Sequence, residues 1–247
     1  MNLKTRGIVI KRGNFGEADK LLVVFTERFG KIRAISKGVR KIKSHLAGSL
    51  EPFMLLDLEL HEGKTFFTVC GASIIKEFGN SHNDLKRISE TYYVAELVDK
   101  FTEENQKSVK VFQLLCDILE SVDKGAKNIC VKAFCLKLLE VTGFQPELYN
   151  CLHCKEKVQE NEVFWDEMEG GVICESCQGI YHHGKKISNS LIKLFRFFEK
   201  NSFLQINSLK ITKELEAETD LILTLYIKNI LERDLKSKNF MIQSSKE

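Results

Sequence analysis

The chain has 247 residues, 43% of them hydrophobic and only two of them proline, a composition that excludes a disordered polymer and supplies apolar surface for one large or two modest cores. Its formal charge of +3 is unevenly spread: residues 1–50 hold twelve Lys/Arg against three acids, a net of +9 that leaves −6 for the rest. No apolar run reaches the roughly 18 residues of a membrane span, and the opening Met-Asn-Leu-Lys-Thr-Arg leads into no apolar signal core, so a cytoplasmic protein that engages no membrane is expected.

Residues 4–75 read as strands. Residues 7–10, 20–26 and 31–36 are β-branched or apolar and are separated by turn material at 13–16 and 28–30, the last two pairing as a hairpin. Residues 44–50 fit one helical turn capped by Ser44. Met54, Leu56, Leu58 and Leu60 then alternate with Leu55, Asp57, Glu59 and His61, the period-two pattern of a half-buried strand, and Glu62-Gly63 turns the chain into a fifth strand at 64–70. Five strands in about 70 residues suit a small barrel or sandwich.

Beyond Gly79 the period becomes helical. Residues 84–101 set Leu85, Ile88, Tyr92, Ala95 and Val98 toward one face; 109–122 do so with Phe112, Leu115, Ile118 and Leu119; 126–141 do so with Ile129, Ala133, Leu136 and Leu139. Gly143 and Pro146 supply a helix stop. Two further helices are expected at 191–198 and 214–235.

Between them lie Cys151-Leu-His-Cys154, nineteen residues, and Cys174-Glu-Ser-Cys177. Each Cys-x-x-Cys places two thiolates on one turn, and a hairpin returning at Gly170-Gly171 brings the two pairs together around one tetrahedral ion. Four thiolates fill the coordination sphere, which makes such a site structural. Two independent redox or buried cysteine pairs, or an iron–sulfur cluster, are the competing readings. With four cysteines placed, His153, His182 and His183 read as surface residues, and Cys70, Cys116, Cys130 and Cys135 as small core residues.

The most basic run is Lys31-Ile-Arg-Ala-Ile-Ser-Lys-Gly-Val-Arg-Lys-Ile-Lys43. Lys31, Arg33 and Lys37 share one strand parity, and Gly38 opens a loop with Arg40, Lys41 and Lys43, a pattern along which phosphates can track. Phe15 and Phe29, in turns, are the candidate stacking aromatics, with core packing as the competing role.

Here the residues resemble a known family. Gly16-Glu-Ala-Asp-Lys-Leu-Leu-Val-Val-Phe-Thr-Glu-Arg-Phe-Gly-Lys31, Lys37-Gly-Val-Arg-Lys-Ile-Lys-Ser44 and Leu50-Glu-Pro-Phe53 are similar to the N-terminal domain of the bacterial DNA repair protein RecO family. Gly143-Phe-Gln-Pro146, Gly170-Gly-Val-Ile-Cys-Glu-Ser-Cys177 and the C-terminal Leu235-Lys-Ser-Lys-Asn-Phe240 continue the likeness in order. The resemblance implies an α+β protein: an OB-fold DNA-binding domain over residues 1–79, then a helical domain over 80–247 with a zinc-binding module inserted at about 148–180. It implies one structural zinc ion on Cys151, Cys154, Cys174 and Cys177. It implies DNA contact through Arg12, Lys31, Arg33, Lys37, Arg40, Lys41 and Lys43. It also implies a recombination mediator that binds single- and double-stranded DNA and anneals complementary strands, including strands coated by single-stranded DNA-binding protein (SSB). Such a mediator works with RecR to load RecA in the RecF pathway.

An enzyme is the weakest class. A zinc deaminase needs a histidine-x-glutamate and an open metal position, and no phosphate-binding loop, dinucleotide fingerprint or nucleophile elbow occurs. The alternative kept open is a zinc-stabilised adaptor or scaffold with only incidental DNA binding.

Overall fold

Five strands, β1 (Asn2–Phe15), β2 (Asp19–Thr26), β3 (Gly30–Ser36), β4 (Met54–His61) and β5 (Phe67–Glu77), close a barrel in the order β1-β2-β3-β5-β4 in the computed structural model of the chain. The structure describes residues 2–41, 44–46, 48–78, 84–158, 163–181, 184–238 and 241. All strand pairs are antiparallel except β3 with β5, an OB-like topology. The alternation expected for β4 is present: Leu56, Leu58 and Leu60 fill the barrel with Val9, Leu22, Val24, Ile32, Ala34 and Val69, while Asp57 and His61 face solvent.

β1 is longer than its apolar residues announce, because it pairs with β2 along one edge and with β4 along the other. Gly13–Phe15 therefore belong to the strand, and the turn is confined to residues 16–18. β5 likewise runs on to Glu77 because β4 templates it. The described residues between Ser44 and Leu50 form turns instead of the expected helical turn.

The barrel, α1 (Leu85–Phe101) and α2 (Val109–Asp123) form one compact unit together with the C-terminal segment from Ser237. Asp84 caps α1 by accepting the Lys86 and Arg87 N–H groups, and Ser108 caps α2 through Val111. The buried arc of α1 is shifted from the expected stripe: Ala95 and Val98 are buried as expected, Ser89, Glu90, Tyr93, Val94 and Leu97 are buried with them, and Leu85 and Tyr92 are exposed. The C-terminal segment accounts for part of this, since Lys238 lies over the Tyr93 ring and the Ser237 N–H donates to Glu96 at 2.8 Å.

The second unit spans Ala126–Lys236. Its centre is α3 (Ile129–Val141), which buries ten of its thirteen residues among α5 (Asn189–Lys200), α6 (Phe203–Asn207) and α7 (Lys213–Leu231). Buried Lys132 pairs with Asp220 of α7, as a charge at that depth must. A three-stranded sheet of β6 (Val163–Asp166), β7 (Gly171–Cys174) and β8 (Lys185–Ile187), with α4 (Glu175–Tyr181), completes the unit. The fully buried Trp165 of β6 meets Phe195 and Tyr226 edge-on at 6.0 and 5.8 Å, which fixes the sheet to the helices. Among the described residues no helix is long and apolar enough to cross a membrane.

Candidate metal centre and nucleic-acid interface

β6 and β7 form the hairpin that brings the two cysteine pairs together, with Cys174 ending β7 and Cys177 in the first turn of α4. Asp166 caps the intervening turn by accepting the Met168 and Glu169 N–H groups. Gly170 closes it at φ +69°, where a β-carbon would come within 2.2 Å of the Tyr226 ring, so only glycine satisfies both the backbone and the packing. The first knuckle is laid onto this hairpin through Leu152 N–H to Val172 O and Glu147 N–H to Gly170 O. Arg196 of α5 donates twice to the Leu148 carbonyl, at 2.9 and 2.6 Å.

The result places the four Sγ atoms of Cys151, Cys154, Cys174 and Cys177 within 4.8 Å of one another. Sulfurs bonded to one zinc at about 2.3 Å lie about 3.8 Å apart, and Cys154 and Cys174 are separated by 3.8 Å. Burial opposes charge on Cys151, but the backbone N–H groups of Cys174, Cys154 and His153 outweigh it and hold this thiol down to about 6. Burial, with the other three thiols, pushes Cys177 up to about 12. A thiolate held beside thiols that resist further ionisation is an arrangement that a divalent cation relieves by displacing the remaining protons. The donor set therefore fits a metal ion. His153 is half-buried and stands outside this group of ligand atoms, and His182 and His183 lie outside the described residues. Of the other cysteines, Cys130 and Cys135 are core, Cys116 is partly buried, and Cys70, expected in the core, is exposed on β5.

The cations expected to line a nucleic-acid surface divide by environment. Lys31 is buried, its ammonium held by the Asp99 carbonyl and, at 3.3 Å, by the Asp99 carboxylate; the segment after α1 covers this end of β3, with Asn105 N–H donating to Lys31 O. Lys31 is thus withdrawn from the surface. Arg33 is exposed but paired with Glu104 at 2.6 Å, and Arg12 is paired with Glu51, which Lys20 also approaches at 3.6 Å. Lys37 and Lys41 are exposed and have no ion pair among the described residues. Arg40 is exposed and reaches the Glu17 carbonyl at 3.0 Å. Lys43 lies outside the described residues. Phe29 is half-buried against Phe67 on the barrel core, whereas Phe15, at the end of β1, is 40% exposed.

A family model described as "Recombination protein O N terminal" matches residues 1–78, and one described as "Recombination protein O C terminal" matches residues 82–239. The chain belongs to the recombination protein O family. Relatives named DNA repair protein RecO cover nearly its whole length. That of Dehalococcoides mccartyi (strain CBDB1) is 34% identical over 237 residues, 96% of this chain and 93% of its own. That of Thermoanaerobacter sp. (strain X514) is 32% identical over 241 residues, 97% and 96% of the two chains, and that of Alkaliphilus metalliredigens (strain QYMF) is 35% identical over 235, 94% and 95%. The two RecO family models meet between residues 78 and 82, at the end of the barrel, while α1 and α2 belong by contact to the barrel's compact unit. In this RecO family member, the Gly16-Glu-Ala-Asp19 turn and the basic loop are parts of one structure: Asp19 accepts the Gly38 N–H at 2.7 Å, and Ala18 O accepts the Arg40 N–H at 2.9 Å.

Proposed function

We propose that this chain is a DNA repair and recombination mediator that binds single- and double-stranded DNA through its barrel unit and anneals complementary strands, including strands coated by SSB. With RecR it promotes loading of RecA. The observation that carries this reading is the full-length match to the RecO family, and the anchored basic loop agrees with it. Two strands repel through their phosphates; clustered cations screen that repulsion and let pairing nucleate, with no covalent step. Contact with phosphates alone accepts any sequence, as a repair factor requires. Lys37, Arg40 and Lys41 are the principal contacts in this reading, with Arg12 and Arg33 recruited when phosphate competes for them with Glu51 and Glu104.

Cys151, Cys154, Cys174 and Cys177 hold one zinc ion. Four thiolates leave no position for water, so the ion supplies folding energy to residues 147–177 and no Lewis-acid chemistry. The pairing of Arg12, Lys31 and Arg33 with acids favours the second reading, a zinc-stabilised adaptor with incidental DNA binding.

Annealing of two labelled complementary oligonucleotides precoated with SSB, followed by energy transfer without nucleotide, separates the two. The mediator accelerates pairing over the spontaneous rate; an adaptor leaves that rate unchanged.

A further inference from the structure

Clustered cations bind any phosphate backbone, so Lys37, Arg40 and Lys41 by themselves do not tell a single strand from a duplex. On the same barrel the structure holds a pair of aromatic rings. Phe15 ends β1 and Phe66 ends the β4–β5 loop, and their rings meet at 6.1 Å between centroids with an interplanar angle of 72°. The pair therefore joins the β1–β2 and β4–β5 loops, the two loops through which barrels of this topology take oligonucleotides. Phe15 is linked to the basic loop through the β1–β2 turn: it pairs in register with Asp19, whose carboxylate holds Gly38, and the Arg40 guanidinium lies on the carbonyls of Gly16 and Glu17.

The geometry leaves Phe15 available. It is 40% exposed, and its contact with Phe66 is near-perpendicular instead of a face-to-face stack. Phe66 is carried on a tight loop: a β-carbon on Gly63 would come within 2.5 Å of Phe66 O.

We infer that Phe15, braced edge-on by Phe66, is a stacking platform for unpaired nucleobases, and that it makes this surface prefer single-stranded nucleic acid to duplex. The inference rests on the DNA-binding reading above and adds the group that discriminates between strands. Duplex bases are stacked on one another and offer no face, whereas each unpaired base offers one, and base–aromatic stacking tolerates every sequence.

The test compares the full chain with its Phe15→Ala, Phe15→Leu and Phe15→Tyr variants, by anisotropy on a labelled oligothymidylate and on a blunt duplex of equal length at one salt concentration. Phe15→Ala and Phe15→Leu are expected to lose single-strand affinity on the order of tenfold while duplex affinity holds, and Phe15→Tyr is expected to retain it. Equal loss on both substrates, or full single-strand affinity in Phe15→Leu, overturns the inference, because apolar bulk would then suffice. If the unmodified chain binds neither substrate at low salt, the DNA-binding reading falls and takes the inference with it. If it binds both and Phe15→Ala leaves their ratio unchanged, the inference alone falls.

Discussion

The Asp19 carboxylate accepts the Gly38 backbone N–H at 2.7 Å. This bond ties the β1–β2 turn to the loop that leaves β3, and it holds Lys37, Arg40 and Lys41 at one barrel end. Asp19→Ala removes the acceptor and leaves Gly38 without its partner, a loss of about 1–2 kcal/mol in stability. Denaturant unfolding is expected to show that loss, together with weaker DNA binding although no cation has been removed.

Lys31 and the basic loop are expected to separate in their effects. Substituting Lys37, Arg40 and Lys41 together by alanine flattens the salt dependence of single-strand binding, by about 0.7 in log–log slope for each phosphate that is no longer neutralised. Lys31→Ala strands Asp99 and the covering segment, so it costs stability of about 2–3 kcal/mol with the slope unchanged. Titrations at several salt concentrations, paired with melts, distinguish the two.

Metal analysis of protein purified with its thiols protected is expected to give about one zinc per chain. If an ion joins the two cysteine pairs, Cys174→Ser or chelation releases them, and hydrogen exchange is then expected to rise across residues 147–177 while the barrel strands keep their protection. Exchange that stays slow there would show that Trp165 and the hairpin bonds hold the module without an ion.

Cys116 supplies a pH signature. Burial, aided by the nearby Asp117, pushes its thiol from 9.0 up to about 11. The folded state therefore holds this proton more tightly than the unfolded one, so the contribution is complete below pH 9 and disappears as pH rises through about 11. Stability is expected to fall across that window and Cys116→Ala to fall less. Alkylation near neutral pH is expected at exposed Cys70 well before Cys116.

Features fixed by local spacing were legible in the sequence. Cys151 and Cys154 flank one turn, Cys174 and Cys177 flank a strand-to-helix junction, and one hairpin joins them, so their spacing announces the cluster. The inward parity of Leu56, Leu58 and Leu60 follows from the strand period. What escaped depends on distant partners. Strand parity puts Lys31 outside the barrel, but only the fold puts Asp99 over it. Phe66 was missed because its meaning lies in Phe15, and the sole local signal was its place just after the Gly63 turn. On α1 the burial of Tyr93 in place of Tyr92 reflects in part the C-terminal segment returning to Glu96 and Tyr93, a pairing that no periodicity within the helix encodes.

The most direct measurement of the central claim is the rate at which SSB-coated complementary strands anneal with the unmodified chain and with the Lys37, Arg40 and Lys41 triple alanine variant side by side. The account predicts acceleration by the unmodified chain and its loss in a variant that melts at the same temperature. Equal acceleration by both would contradict it and place the DNA-binding surface elsewhere on the molecule.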